Sequence, residues 1–332
     1  FTVRDAHVDS TPVARTVSVT PTNDAPVLTS DGGGSMATRS VVENTTLVTT
    51  VTATDPDLPA QTLTFSITGG ADAARFAIDA ATGALSFLAA PDHEAPSDAN
   101  ADNVYDVTVQ VSDGSLTASQ AIAVTVTVMN DNTPTITSSS AFSVAENSTT
   151  VTTVTASDAD LPAQTLAYSI TGGADAARFT IDATTGALRF LAAPDYEVPS
   201  DANVDNVYDV TVQVSDGSLT ASQAIAVTVS PVNDNTPAIT SGGAVSVAEN
   251  TTAVTTVTAS DADLPGQPLT FSITGGADAA RFTIDATTGA LRFLAAPDYE
   301  VPSDANVDNV YDVTVQVSDG SLTAIQAVAV AV

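Results

Sequence analysis

Apolar and polar residues alternate with a period of two over many short stretches of the chain. In residues 207–214 the tyrosine and three valines at even positions alternate with polar residues, and residues 224–229 behave similarly. Successive side chains of an extended strand point to opposite faces, so this pattern predicts one face on a core and one in water. Runs of this kind, bounded by Gly, Pro, Asn and Asp, predict about seven strands in each roughly 100-residue stretch.

Larger apolar residues and turn residues complete each stretch. The side chains that we expect to fill the core of one stretch are Phe179, Ile181, Leu188, Phe190 and Leu191. The Thr184-Thr185-Gly186 segment between them predicts a hairpin turn. Residues 173–177 are compatible with one helical turn, and nothing longer is predicted to be helical. The expected fold is therefore all-β, with seven-stranded, immunoglobulin-like sandwich domains.

The main feature of the sequence is an internal repeat. Glu43, Glu146 and Glu249 are spaced 103 positions apart. The stretch from 169 to 221 recurs letter for letter from 272 to 324. A fixed period of this size indicates one domain per repeat, so we predict a linear array of tandem sandwiches. The predicted domains are 25–131, 132–234 and 235–332, preceded at 1–24 by the C-terminal part of another domain.

The first residues of the chain correspond to only part of a repeat. Residues 1–22 align with the last two strands of a unit. Two explanations stay open: the chain is a portion of a longer array, or the half-domain is completed by another chain through strand donation.

Charge narrows the range of partners. The chain has 39 acidic residues and 8 basic ones, all of them arginine, for a net charge of −31. Binding to phosphates requires a basic patch, so we expect no nucleic acid and no anionic membrane as partner. There is no cysteine, hence no disulfide or thiol chemistry. No stretch reaches the ~18 consecutive apolar residues of a membrane-spanning helix, and direct membrane insertion of this segment is not expected.

The acidic residues recur at fixed places in each unit. In the second unit these places are Glu146, Asp158 and Asp160, Asp195 and Glu197, Asp216, and Asn233-Asp234-Asn235. Oxygen ligands without His or Cys fit a hard cation of the Ca²⁺ type. Residues i and i+2 of an extended segment point the same way, so each closely spaced pair is able to grip one ion. The simpler alternative is that Asp and Asn cap turns, but recurrence of the whole set without any lysine favours metal binding.

In the order AEN, DAD, F-x-I-D-x-x-T-G-x-L, D-x-E, S-D-G and N-D-N-x-P, these motifs make the chain resemble the cadherin family. The long, near-identical repeats resemble its bacterial, surface-adhesin members, and the resemblance covers essentially the whole chain. It implies the cadherin-type Greek-key sandwich, with several Ca²⁺ ions at each domain junction. The upstream domain would give the Glu and the D-x-E pair, the linker N-D-N, and the downstream domain D-x-D and the late Asp.

Carried over by position, the resemblance implies two complete ligand sets and one partial set. One junction would use Glu43, Asp92, Glu94, Asn130, Asp131, Asn132, Asp158, Asp160 and Asp216. The next would use Glu146, Asp195, Glu197, Asn233, Asp234, Asn235, Asp261, Asp263 and Asp319. An earlier junction retains Asn23, Asp24, Asp55, Asp57 and Asp113. Fewer ions are expected there, because Ala25 replaces the second Asn and the upstream acids are missing. Glu249, Asp298 and Glu300 face the opposite end, with no partner domain in this chain.

The chain departs from the family pattern in several places. Val128 and Pro231 replace the first Asp of D-x-N-D-N. An insert at 201–206 resembles the start of a D-x-N-x-D calcium loop, but Val212 stands where an EF-hand needs Glu. This insert either holds an extra ion or is a solvated loop. The absence of Trp excludes Trp-based strand exchange, and the sequons at Asn44, Asn147 and Asn250 are expected to be incidental.

An enzyme is not expected. His7 and His93 are the only histidines, neither recurs, and no nucleophile–base pair is evident. The preferred hypothesis is a calcium-rigidified extracellular stalk or adhesin segment for bacterial surface or biofilm adhesion, with other copies, surface proteins or glycans as partners. The alternative is a subunit of an extracellular filament built by strand donation. A carbohydrate- or partner-binding module ranks third.

Overall fold

Alternating Val, Thr and aromatic residues form short strands throughout the computed structural model, which describes residues 12–332. The chain divides into two compact units. The first is residues 1–133 together with Asp158–Gln164, and the second is Pro134–Ser157 with Thr165–Val332. Each unit is described by itself below.

The first unit contains one sandwich. Its strands are β1 (Val27–Leu28), β2 (Met36–Val42), β3 (Leu47–Thr50), β4 (Ala53–Thr54), β5 (Thr64–Gly69), β6 (Phe76–Ile78), β7 (Ala84–Phe87), β8 (Val104–Ser112) and β9 (Thr117–Thr127). Two 3-10 helices lie at Ser30–Gly32 and Ala73–Arg75.

The strands of this unit form a four-stranded sheet in the order β2-β9-β8-β5, a three-stranded sheet β3-β7-β6, and the short pair β1-β4. β2 runs parallel to β9, and the other pairs are antiparallel. We count β1 and β2 as two pieces of one strand, in which β1 pairs with β4 and β2 pairs with β9. We count β3 and β4 as two pieces of the next strand, in which β3 pairs with β7 and β4 pairs with β1. The nine segments thus amount to the seven strands predicted.

The second unit contains two more sandwiches of the same kind. The strands of the second repeat are β10 (Thr135–Ile136), β11 (Ala141–Ala145), β12 (Thr150–Thr153), β13 (Ala156–Ser157), β14 (Ala167–Gly172), β15 (Phe179–Ile181), β16 (Ala187–Phe190), β17 (Val207–Ser215) and β18 (Thr220–Ser230). The strands of the third are β19 (Ala238–Ile239), β20 (Ala244–Ser246), β21 (Ala253–Thr256), β22 (Ala259–Ser260), β23 (Thr270–Gly275), β24 (Phe282–Ile284), β25 (Ala290–Phe293), β26 (Val310–Ser318) and β27 (Thr323–Ala331). Their sheet orders repeat those of the first unit.

The core of each sandwich lies where the period-two pattern predicts it. In β17, Tyr208 and Val210 are 1% exposed and Val212 and Val214 are fully buried. The rings of Phe179 and Phe190 stack at 4.6 Å, and Tyr208 meets Phe190 edge-on at 5.1 Å. Offset and edge-on aromatic pairs stabilise a core beyond the area that they bury.

One residue predicted for the core lies outside it. Leu191 is 64% exposed, whereas Leu188 is fully buried. The reason is the strand period itself, since Leu188 and Phe190 take the inward positions of β16 and Leu191 therefore points outward. Including Leu191 in the predicted core was wrong.

The predicted hairpin turn is held by a carboxylate. Asp182 Oδ1 accepts hydrogen bonds from the amides of Thr184 and Thr185 at 3.0 and 2.7 Å, and from the Thr185 hydroxyl at 2.9 Å. Gly186 follows with a φ of 71°, and a Cβ there would lie 2.3 Å from the Val154 carbonyl oxygen. Only glycine fits this close approach. The helical turn expected at 173–177 is a 3-10 helix slightly further along, at Ala176–Arg178.

The predicted half-domain at 1–22 lies partly outside the described residues, which begin at 12. Residues 12–22 form no strand, although their apolar residues alternate as in a strand. Val13, Val17 and Val19 are 66–86% exposed. In residues 12–332 no neighbouring strand forms the hydrogen-bonded ladder with residues 12–22 that would make this segment a β-strand.

We predict that Leu188→Ala lowers the free energy of unfolding of the second repeat by about 2–5 kcal/mol, because it opens a cavity at a fully buried site. Leu191→Ala is the matched control, since it removes the same atoms from an exposed position and should change stability by less than about 0.5 kcal/mol. Urea unfolding in excess calcium measures both. Equal losses would contradict the assignment of the core.

We also predict that Asp182 titrates below its usual range. The amide of Thr185, then its hydroxyl and the amide of Thr184, hold the pKa of Asp182 low. Because the folded pKa lies below the unfolded one, this carboxylate stabilises the fold above the ordinary pKa, and that stability is lost as pH falls through the folded pKa. Carboxyl-carbon NMR measures the pKa. Asp182→Asn should flatten the acid limb of the stability curve, and an ordinary pKa would contradict the prediction.

Candidate metal centre

Glu146 connects two segments of the second unit through its carboxylate. Its Oε1 accepts the amide of Val232 at 2.6 Å, and its Oε2 accepts the amide of Tyr196 at 2.8 Å. The side chain is 3% exposed. Charge-assisted hydrogen bonds of this kind are strong. Glu146 therefore fixes the D-x-E loop and the start of the linker against the turn that follows β11.

The D-x-E loop is shaped by its own aspartate. Asp195 Oδ1 accepts the amides of Glu197 and Val198, both at 3.0 Å. This turn brings Glu197 toward the third repeat, where its Oε1 accepts the amide of Leu264 at 2.9 Å. One carboxylate oxygen from each of Glu146, Glu197 and Asp234 lies within 4.8 Å of the others. Acids from the loop and the linker thus converge as predicted.

The linker is bound to the third repeat in the same way. Asn235 donates its backbone amide and its side-chain amide to Asp263 Oδ1, at 3.1 and 2.9 Å. Asp263, which is 1% exposed, donates its own amide to Asp261 Oδ1 at 3.1 Å. The D-x-D pair and the N-D-N linker therefore form one connected network.

The late aspartate of the third repeat joins this network. Asp319 Oδ1 accepts the amides of Ser321 and Leu322 at 2.6 and 2.7 Å. Burial acts to raise the pKa of Asp319, but these two amides and the side chain of Asn233 act together to bring it below the usual range. Asp319 is therefore ionised and lies at the linker.

Several buried oxygens of this cluster have no hydrogen-bond donor. They are Glu197 Oε2, Asn233 Oδ1, Asp261 Oδ2 and Asp263 Oδ2. Burial, together with the negative charges of Glu146 and Asp263, raises the pKa of Glu197. Ionised carboxylates accept hydrogen bonds but do not donate them, so they are unable to satisfy one another. A hard divalent cation satisfies such a set of oxygens, and these carboxylate and amide oxygen ligands fit Ca²⁺.

The first unit holds a second set with the same connections. Glu43 accepts the amides of His93 and Met129 at 2.7 and 2.6 Å. Glu94 Oε1 accepts the amide of Leu161 at 3.0 Å. Oxygens of three acids lie within 4.8 Å of one another in each of two groups, which are Glu43, Asp92 and Glu94, and Glu94, Asp131 and Asp160.

The linker of this set also matches. Asn132 donates its backbone and side-chain amides to Asp160 Oδ1 at 3.1 and 2.8 Å, and Asp160 donates to Asp158 Oδ1 at 3.0 Å. Asn130 bonds to Gln164. Asp216, assigned to this set from the sequence, belongs to the second unit, where its Oδ1 accepts the amides of Ser218 and Leu219.

The earlier, partial set is also assembled in the first unit. Asn23 donates to Asp113 Oδ2 at 2.8 Å, and the amide of Asp24 donates to Asp57 Oδ2 at 2.9 Å. Oxygens of Asp55, Asp57 and Asp113 lie within 4.8 Å of one another. All five predicted residues of this set thus come together.

The remaining half-set is at the end of the third repeat. Glu249 Oε2 accepts the amide of Tyr299 at 2.9 Å, and Asp298 Oδ1 accepts that of Glu300 at 3.0 Å. The loop is therefore preformed as in the other repeats.

Comparison with known proteins decides the family. The model of the Cadherin domain matches residues 37–129, 140–230 and 244–332. The chain belongs to the cadherin family. Its members are adhesion proteins and not enzymes. The expectations of a sandwich fold and of no catalytic role are thereby confirmed.

The relatives of this cadherin are large animal proteins. Human Protocadherin Fat 1 is 31% identical over 301 residues, which cover 84% of this chain and 6% of that protein. Rat Protocadherin Fat 2 is 30% identical over 282 residues, covering 79% of this chain and 6% of that protein. The chain therefore spans a small fraction of the length of the relatives it matches.

Solved structures agree with this fold. Mouse Cadherin-23 EC22-24 superposes with a TM-score of 0.67 at 23% identity, covering 93% of this chain and 99% of that one. The Protocadherin GammaB4 extracellular domain gives 0.61 at 25% identity, covering 92% and 49%. None of the helices among the described residues has the length and apolar character needed to span a membrane.

Sequence reasoning missed two residue types at these sites of the cadherin repeats. Gln267 accepts a hydrogen bond from Asn233 at 2.7 Å, and Gln164 plays the same part for Asn130 at 2.8 Å. Asn147, considered only as part of a sequon, donates to Asp234 at 2.5 Å. Both types recur at the 103-residue period, and that spacing was the signal available.

The insert at 201–206 is held by backbone donors. Asp201, 5% exposed, accepts the amides of Asp205 and Asn206 at 2.8 and 3.3 Å. Asp205 accepts the amide of Val207 and the side chain of Asn203. These carboxylates close the loop on itself, which favours the solvated loop over an extra ion.

We predict that Glu197→Gln raises the melting temperature of the protein in a chelator of divalent cations. The substitution removes a charge that is partly buried and repelled by Glu146 and Asp263. Asp285→Asn is the control in an exposed turn, where hydrogen bonds stabilise the carboxylate and hold its pKa low, so it should lower the melting temperature. Scanning calorimetry gives both values. A loss of stability in both variants would contradict the predicted repulsion of Glu197 by Glu146 and Asp263.

Proposed function

We propose that this chain is a calcium-binding, calcium-rigidified segment of an extracellular adhesion protein. One observation carries the proposal: buried acceptor oxygens from two successive repeats and their linker converge in the second unit without donors to satisfy them. The family is known for calcium-dependent cell adhesion. Members typically bind Ca²⁺ at domain junctions.

The proposed ligands are the residues of the two complete sets and the partial set. In the first set they are Glu43, Asp92, Glu94, Asn130, Asp131, Asn132, Asp158, Asp160 and Asp216. In the second they are Glu146, Asp195, Glu197, Asn233, Asp234, Asn235, Asp261, Asp263 and Asp319. In the partial set they are Asn23, Asp24, Asp55, Asp57 and Asp113. Several ions for each complete set, and fewer for the partial one, follow from the number of acids available.

The side chains contribute to rigidity in two ways. The carboxylate and amide oxygens of these sets would hold Ca²⁺, and its positive charge would offset the repulsion among the carboxylates. Both carboxylate oxygens of Glu146 and one of Glu197 accept hydrogen bonds from backbone amides. These bonds orient the two carboxylates before any ion binds. Asn235 and Asp263 hold the linker on the third repeat. Ion binding to such a preorganised set couples directly to the stiffness of the connection.

The setting of this function is proposed from the relatives. Cadherin repeats are extracellular, and adhesion at a cell surface, with other copies, surface proteins or glycans as partners, suits a chain with a net charge of −31 in a calcium-rich medium. A bacterial surface or a biofilm is suggested only by the near-identity of the repeats. The relatives given above are human and rat proteins and lend that setting no support.

A filament subunit is the second candidate. Val13, Val17 and Val19 alternate along an exposed segment that forms no strand within the described chain. An extended segment with an exposed apolar face is suited to strand addition on another molecule. Deletion of residues 1–22 should then abolish calcium-dependent polymers in light scattering. A chain that stays monomeric at high concentration in calcium would exclude this candidate.

The main proposal is tested by calcium titration. Isothermal calorimetry should show several ions per chain, and small-angle scattering should show a stiffer particle in calcium than in chelator. Identical scattering and identical melting temperatures in calcium and in chelator would overturn the proposal that calcium stiffens the chain.

We predict that Asp234→Ala reduces the number of bound ions and loosens only the connection between the last two repeats. Asp234 lies with Glu146 and Glu197 in one cluster, so its loss removes a ligand shared by the linker. Asp285→Ala, in an exposed turn of the third repeat, is the control and should leave the ion count intact. An unchanged ion count in Asp234→Ala would refute the assignment.

A further inference from the structure

A pocket recurs at the same place in every repeat. In the second repeat its volume is about 270 Å³, and the corresponding pockets of the third and first repeats measure about 180 and 210 Å³. The buried rings of Phe190 and Tyr208 form part of its wall. Arg178, Leu191 and Ser200 also line it and are exposed, so their side chains are within reach of another molecule.

The arginine of this pocket has no partner of its own. Among the described residues, the guanidinium of Arg178 makes neither an ion pair nor a side-chain hydrogen bond, and the same is true of Arg281 in the third repeat. The chain has 39 acidic residues and only 8 basic ones. An unpaired, exposed arginine beside an apolar side chain such as Leu191, which is 64% exposed, favours a partner that is both acidic and apolar.

An exposed loop lies directly beside the pocket. The insert loop is residues 201–206 in the second repeat and residues 304–309 in the third. It begins next to Ser200 and ends two residues before Tyr208, and the hydroxyls of these two pocket residues lie 3.3 Å apart. Val204 in the loop is 65% exposed and therefore does not fill the pocket of its own repeat. The loop and the pocket are thus neighbours on one surface.

The exposed valine of the insert loop is held in a strained conformation. Val204 has a φ of 61° and Val307 a φ of 58°. A β-branched residue rarely adopts a positive φ, because its side chain is crowded there. In the first repeat the smaller Ala101 has this conformation. A strained residue that also exposes an apolar side chain to water contributes little to the fold, and such positions point to a function.

The insert loop and the pocket match each other in charge and in apolar character. Asp205 follows Val204 and is exposed, so the loop presents an apolar side chain beside a negative charge. The pocket presents Leu191 beside the unpaired Arg178. The stretch from 169 to 221 is identical to that from 272 to 324, so the loop of either repeat matches the pocket of either repeat. The partner that fits this surface is therefore a second copy of the chain.

We propose that two copies of this chain pair through these surfaces, with the insert loop of each copy in the pocket of the other. The second repeat of one copy contacts the third repeat of the other. Val204 and Val307 occupy the pockets, and Asp205 and Asp308 lie against the unpaired arginines. Two such contacts close a two-fold dimer, and joining them in one chain strengthens both.

This proposal rests on the proposed function in taking another copy as the adhesion partner, and it adds the surface. None of the proposed calcium ligands lines the pockets. The test is sedimentation equilibrium of the full chain in excess calcium. The chain should form dimers reversibly, with a Kd at or below about 100 µM. A chain that stays monomeric well above this concentration would overturn the proposal.

The deciding variant is the double substitution Val204→Gly and Val307→Gly. It removes the apolar side chain from both loops, and glycine adopts a positive φ without strain, so the melting temperature should not fall. The dimer should weaken at least about tenfold, as expected for the loss of buried valine side chains. Ile325→Ser is the control, because it removes a 67% exposed apolar side chain from β27 and restores the residue that the second repeat carries. Equal dimerisation of the variant and the control would refute the role of the loop.

A second pair of variants tests the charges. Arg178→Glu with Arg281→Glu places a negative charge opposite Asp205 and Asp308 and should weaken the dimer at least about tenfold. Arg189→Glu with Arg292→Glu is the matched control, since it makes the same change in net charge at exposed positions that do not line the pockets. The control should dimerise like the unaltered protein. Equal losses in both would refute the pairing of arginine with aspartate.

The calcium count separates this proposal from the proposed function. All four variants should bind as many ions as the unaltered chain in calorimetry. A full ion count without any dimer overturns the pairing and leaves the calcium-binding function intact. A dimer that depends on Val204 and Val307 in a chain that binds no calcium supports the pairing and overturns the calcium-binding function.

Discussion

The carboxylates of this chain are placed by backbone amides. Glu146 receives two amides from separate segments, Glu197 receives one from the third repeat, and Asp263 receives the linker. Both oxygens of Glu146 are used in this way, whereas Glu197 and Asp263 each keep a second buried oxygen without a donor. The mutual repulsion of the acids is thus opposed by geometry that the fold imposes. In the second unit, the loops of its two sandwiches and the linker between them depend on this balance.

The same local devices recur because the repeat recurs. An aspartate at the start of each tight turn captures the amides two and three residues later, as Asp182 and Asp195 do. Such short-range bonds form without help from distant parts of the chain. Longer-range order then needs only the apolar face of each strand, which is why a chain poor in aromatic residues builds three well-defined cores.

Much of this was accessible from sequence because period and spacing are local properties. The alternation in β17 located the core, and the 103-residue repeat located the acids that converge. Gln267 and Asn147 escaped notice, because a neutral amide carries no charge pattern and its role depends on what lies opposite it. Leu191 was misplaced because hydrophobicity was given more weight than strand phase.

The parallel pairing of the first and last long strands of each sandwich has a mechanical consequence. When an array is pulled through its ends, tension enters along one of these strands and leaves along the other. Their ladder is then loaded in shear, with all bonds sharing the force, in contrast to bonds that open one by one. The ladder has seven residue pairs between β2 and β9 and five between β11 and β18. The first sandwich therefore opposes such shear with a longer ladder than the second.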